Sequence, residues 1–112
     1  MRRPSPPSAS DVILGTASPP YPHPQYRLST ADQAHHGLIW GATGTGKSRL
    51  LASLFLQHLN KGHGVCLIDP HSDLSLTCLG YLAERGFFDD ASGYRRLVYV
   101  DFGQGGHLPF NV

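Results

Sequence analysis

One stretch of this chain is spaced for chemistry on a phosphate. Gly41 to Ser48 read GATGTGKS. Gly41, Gly46, Lys47 and Ser48 meet the phosphate-loop pattern of glycine, four intervening residues, glycine, lysine, and then serine or threonine. Each position has a physical reason. Glycines let the backbone wrap so that its N–H groups point inward at phosphate oxygens. A helix that starts where the loop ends adds the positive end of its dipole. Lys47 reaches β- and γ-phosphates, and the Ser48 hydroxyl is a ligand for Mg²⁺. The N–H groups from Thr43 through Gly44, Thr45, Gly46 and Lys47 to Ser48 form the cradle, and Arg49 is counted with it. A glycine-rich turn without function is the competing reading. Glycine is roughly 7 percent of residues on average, so four matched positions rarely coincide by chance in so short a chain. An apolar run before the loop and a helical pattern after it supply the context the motif requires.

Binding a nucleotide is not hydrolysing it. Hydrolysis also needs a carboxylate for Mg²⁺ and a group that positions the attacking water. Two apolar runs end in aspartate: VCLID at Asp69 and LVYVD at Asp101. Neither is followed by glutamate. In phosphate-loop folds of the kinase and GTPase type the second strand carries the Mg²⁺ aspartate, so Asp69 stays a candidate on pattern alone.

The elements that must position these residues follow from periodicity. GLIWG, GVCLID and RRLVYVD are short continuous apolar runs, as buried parallel strands are. Leu50, Leu51, Leu54, Phe55 and Leu59 recur at helical spacing after the loop, and Asn60-Lys61-Gly62 stops that helix. A second helix follows Pro70, with Ser72 or Asp73 as N-cap and Leu74, Cys78, Leu79 and Leu82 facing inward, ending at Gly86. Strand–helix–strand–helix–strand from Gly37 onward predicts an α/β fold: a partial parallel sheet with flanking helices. Ahead of it, DVILG and QYRLST predict a short β segment, separated by a proline-rich connection, and ADQAHH reads as a polar link. The organisation expected is a Pro/Ser-rich disordered tail over 1–10, a β/loop segment over 11–34 and a partial P-loop NTPase domain over 35–112.

Composition narrows the function classes. The net charge is +1 and only 15% of residues are charged, so the chain has no electrostatic footprint for nucleic acid or a membrane surface. Two cysteines make no disulfide framework, and Cys66 is expected to be a small core residue on its strand. The seven histidines show no zinc-ligand spacing with the cysteines. No apolar stretch follows Arg2 and Arg3, so neither a signal peptide nor a membrane span is expected, and the chain reads as cytoplasmic.

GATGTGKS together with LIDPHSDL resembles the HerA–FtsK superfamily of hexameric, DNA-pumping ATPases, most nearly its type IV secretion and conjugation members. The likeness runs over about residues 12–112: His35 or His36 before the first strand, DPHSDL at Asp69 to Leu74, LVYVDF at Leu97 to Phe102, and PFNV at Pro109 to Val112. Ser72 stands where the family usually has glycine. The resemblance implies ATP and Mg²⁺ as ligands, Lys47 as the catalytic lysine, Ser48 on the metal, and a homo-oligomer, hexameric by family habit. DNA would be engaged through the parent protein, with possible association with a membrane secretion complex. It also implies that Asp69 is not the Walker B residue and has a positioning or coupling role near the nucleotide. The Walker B pair, the arginine finger and the DNA-facing loops are expected beyond Val112, which makes this the N-terminal, Walker A part of the ATPase domain. On that expectation the chain alone is not catalytic, and its bare sheet edge calls for a partner. Two rivals stand beside this reading: a non-catalytic nucleotide-binding remnant or interaction module, and a small P-loop kinase using Asp69 for Mg²⁺, for which no arginine-rich lid is visible.

Overall fold

The computed structural model describes residues 8–16 and 25–101. Most of the expected N-terminal tail, the proline-rich connection 17–24 and the segment 102–112 with its Pro-Phe-Asn step lie outside the described residues. The chain divides into two compact units, Met1–Leu67 and Ile68–Val112.

In the first unit, β1 (Val12–Thr16) and β2 (Gln25–Leu28) form an antiparallel ribbon, in register at Val12 with Leu28 and irregular between Ile13 and Gly15. A helical turn, α1 (Thr30–Gln33), replaces the polar link expected there. Its cause is local. Ser29 accepts the Asp32 N–H at 3.2 Å, and the Asp32 carboxylate accepts the Ser29 N–H at 3.1 Å, a reciprocal capping box. Then α2 (Lys47–Asn60) packs on β1. The buried centre is Val12 with Ala52 and Leu56, one helical turn apart on α2. The expected stripe is therefore displaced: Leu50, Leu54, Phe55 and Leu59 are half-buried and Leu51 is exposed. Gln57 fixes this docking, accepting the Ile13 N–H at 2.7 Å and donating to the Ile13 carbonyl at 2.9 Å, as a neighbouring strand would. The Lys61 ammonium donates to the Asp11 carbonyl.

In the second unit, α3 (Asp73–Glu84) buries Cys78 and Leu82 and half-buries Leu74 and Leu79, the face predicted for it. A short helix, α4 (Ala91–Arg96), was not legible as such: Arg95 and Arg96 close it rather than opening a strand. Asp90 caps it, accepting the N–H groups of Ser92 at 2.6 Å and Gly93 at 3.4 Å. Phe87 meets Phe88 edge to face, Phe88 meets Tyr94 at a tilt, and the Arg96 guanidinium lies 5.5 Å from the Phe87 ring centre.

The structure is mixed α/β, but among the described residues its one sheet is the two-stranded antiparallel ribbon. The expected parallel sheet is not seen among the described residues. Segments 37–41, 63–69 and 97–100 carry no ladder pairing, and Leu38, Trp40, Ile68 and Val98 are 86–90% exposed. Cys66, expected in the core, is exposed with its segment. The physical reason is that parallel pairing is the weaker ladder per residue and depends on cover over both faces of the sheet. An antiparallel ribbon braced by one helix needs neither.

Candidate functional site

The loop from Gly41 to Ser48 is shaped by two glycines in the left-handed region, Gly44 at φ 81° and Gly46 at φ 92°. A Cβ on either would meet no atom within 4 Å, so conformation rather than crowding asks for glycine there. Gly41 is glycine for the opposite reason: a Cβ would come within 2.7 Å of the Thr45 hydroxyl oxygen. That hydroxyl donates to the Ala42 carbonyl at 2.8 Å, and the Lys47 ammonium donates to the same carbonyl at 2.7 Å. The loop is thus closed on itself, with Lys47 folded back across it.

Gly46 is also the N-cap of α2, and it has no side chain with which to cap. The first backbone bond into the helix is from the Leu50 N–H to the Gly46 carbonyl, at 2.9 Å. The N–H groups of Lys47, Ser48 and Arg49 therefore have no acceptor among the described residues. Orphan donors at a helix start, together with its dipole, make a seat for an anion. Thr43, Gly44, Gly46, Lys47, Ser48 and Arg49 line an open hollow of about 360 Å³ at this point. The Ser48 hydroxyl is exposed there and makes no hydrogen bond within the described residues, which leaves it able to take a cation ligand role. The residues thus fit a phosphate-bearing ligand with its metal: donors face the hollow, no carboxylate lines it, and a lysine stands over it. Gly41 and Thr45 shape the loop from behind without lining the hollow.

Asp69 is in the second unit, and there its carboxylate is engaged. One oxygen accepts the His71 N–H at 3.2 Å, and the other accepts those of Leu74 and Ser75, both at 2.9 Å. Asp69 is the working cap of α3, a role that sequence reasoning gave to Ser72 or Asp73. The available signal was an aspartate followed by proline a few residues ahead of a helix, a spacing that suits an Asx turn. These backbone bonds, Ser75's foremost, hold the Asp69 carboxyl below the usual carboxylate range. Ser72 occupies the N-cap position, but its hydroxyl makes no capping bond. It stands at φ 63°, the one described non-glycine residue in the left-handed region. Glycine would take that conformation without the steric cost a Cβ brings.

Residues 27–78 match the model of the family described as helicase HerA, central domain. The match supports a P-loop ATPase of the HerA–FtsK type. It spans just under half of the chain, from β2 through the phosphate loop and Asp69 into α3, and so contains both motifs that carried the resemblance. No curated protein and no solved structure matches the chain. Among the described residues no helix is long and apolar enough to cross a membrane.

Proposed function

We propose that this chain is the ATP-binding, Walker A part of a DNA-translocating ATPase of the type IV secretion and conjugation kind, acting in the cytoplasm as a homo-oligomer. One observation carries the reading: a side-chain-less N-cap at Gly46 leaves three N–H donors of α2 facing a hollow over which Lys47 is tethered. In this reading the loop amides and Lys47 hold the phosphates, Ser48 holds Mg²⁺, and the bound nucleotide supplies the phosphoanhydride whose hydrolysis drives movement. Lys47 exchanges the Ala42 carbonyl for a phosphate oxygen, the stronger, charge-assisted partner. Thr43 and Arg49 flank the opening. Asp69 is assigned a positioning role, since three backbone donors already occupy its carboxylate. The same engagement counts against the kinase alternative, in which Asp69 would be the metal ligand.

The test is binding of a fluorescent ATP analogue with Mg²⁺ to the full chain. Lys47→Ala is expected to weaken binding at least tenfold, about 1.4 kcal/mol, while leaving the helical circular dichroism intact. Equal binding by both proteins would overturn the assignment. The translocase part of the proposal is tested on a longer parent protein, in which double-stranded DNA should accelerate ATP turnover.

A further inference from the structure

The C-terminal turns of α2 and α3 have the same backbone and different side chains. After α3, Gly86 takes φ 71°, its N–H bonds the Ala83 carbonyl at 3.0 Å, and the Phe87 N–H bonds the Leu82 carbonyl at 3.0 Å. After α2, Gly62 takes φ 77°, its N–H bonds the Leu59 carbonyl at 2.9 Å, and the His63 N–H bonds the His58 carbonyl at 3.0 Å. Both are Schellman motifs, which bring the residue after the glycine beside the residue five positions earlier, usually as an apolar pair. In α3 those positions hold Leu82 and Phe87. In α2 they hold His58 and His63.

The two imidazoles meet edge to edge rather than packing as a hydrophobic contact. Their Nδ1 atoms are 3.2 Å apart, with ring centres 5.5 Å apart and planes inclined by 39°. A separation of 3.2 Å suits a hydrogen bond, and it also suits two nitrogens sharing one ion. With metal–nitrogen distances of about 2.05 Å, that separation gives an N–metal–N angle of about 100°, close to tetrahedral. Sharing an ion would require each ring to rotate about its side-chain bonds so that both lone pairs meet at a common point. Neither ring has another hydrogen-bond partner among the described residues, so no other hydrogen bond is given up in the rotation.

We propose that His58 and His63 form a two-imidazole chelate for a divalent transition-metal ion, with Zn²⁺ the ion to test. Among the described residues no group of three or more metal-ligating side chains is assembled, so water fills the remaining positions and the site is open. Its two ligands are held by backbone bonds that do not depend on the side chains, which lowers the ordering cost of binding. His58 is on the last turn of α2 and His63 in the turn after it; His58 is about 16 Å along the helix from Lys47 at 1.5 Å per residue, so the ion and a ligand of the phosphate loop do not compete for groups.

The experiment is calorimetric titration of the full, untagged chain with ZnCl₂ alone, followed by imidazole-detected NMR. The expected result is one saturable site per chain, weakened at least tenfold in both His58→Ala and His63→Ala and unchanged in His36→Ala. The ring signals of His58 and His63 should move together with the same stoichiometry. His63→Ala keeps the backbone bonds of the turn, and unchanged helical circular dichroism in that variant separates loss of a ligand from loss of the fold. Absence of saturable binding up to about 1 mM Zn²⁺, the weak end of the affinity scale, overturns the proposal. So does binding that survives both substitutions, which would place the ion on other histidines of the seven.

Discussion

Replacing Ser72 with glycine should make the second unit more stable, an unusual direction for a substitution at a helix start. Ser72 holds φ 63°, and for a residue with a Cβ the left-handed conformation costs roughly 1–2 kcal/mol. Its hydroxyl makes no capping bond, so its removal forfeits none. The bonds that do pass through Ser72 go to its backbone carbonyl, from the Ser75 hydroxyl at 2.9 Å and the Leu76 N–H at 3.0 Å, and glycine keeps that carbonyl. Against the gain stands the greater freedom of glycine in the unfolded chain, about 0.4–1 kcal/mol. The difference is a stabilisation of about 0.5–1 kcal/mol, or roughly 2–5 °C in melting temperature for a domain of this size. Urea and thermal denaturation of wild type, Ser72→Gly and Ser72→Ala, followed by far-ultraviolet circular dichroism, measure it. Ser72→Ala keeps the Cβ and should gain nothing. If glycine and alanine at position 72 shift the midpoint equally, strain is not what distinguishes this position, and the account of Ser72 fails.

The remaining predictions concern acid, the loop and the docking of α2. The Asp69 carboxyl is held below its ordinary range in the folded state, chiefly by the Ser75 N–H with help from those of His71 and Leu74. The stability it contributes is therefore complete above about pH 4 and is lost as pH falls through the depressed folded value; Asp69→Asn should flatten this part of the pH–stability curve. Gly41→Ala should displace the Thr45 hydroxyl from the Ala42 carbonyl, because the new Cβ would stand 2.7 Å from that oxygen; nucleotide titration should show weaker binding with little change in melting temperature. Gln57→Ala removes both bonds to Ile13, costing about 1 kcal/mol at this exposed site, and the Ile13 amide should exchange with deuterium about fivefold faster.

The shape of the loop from Gly41 to Ser48 was legible in the sequence because it is set by consecutive residues: glycines that take the left-handed conformation at Gly44 and Gly46, and a helix that begins where they end. The same holds for α2 and α3, whose apolar spacing and terminal glycines are local signals, and for the short β segment around Val12. Tertiary structure decided what depends on partners distant in the chain. It made Ala52 and Leu56 the buried line of α2, because β1, with its buried Val12, is what that helix packs against. It recruited Gln57, an ordinary surface residue by pattern, as the brace on β1. Among the described residues 37–41, 63–69 and 97–100 carry no ladder pairing, and an apolar run states only that a segment can be buried, whereas a parallel ladder also needs neighbours in register and cover on both faces. Asp69 shows the difference at a single residue. By pattern its carboxylate was a candidate metal ligand or a positioning group, and the cap of α3 was sought at Ser72 or Asp73; in the fold that carboxylate accepts the Leu74 and Ser75 N–H groups at 2.9 Å, bonds that only the course of the chain into α3 could reveal.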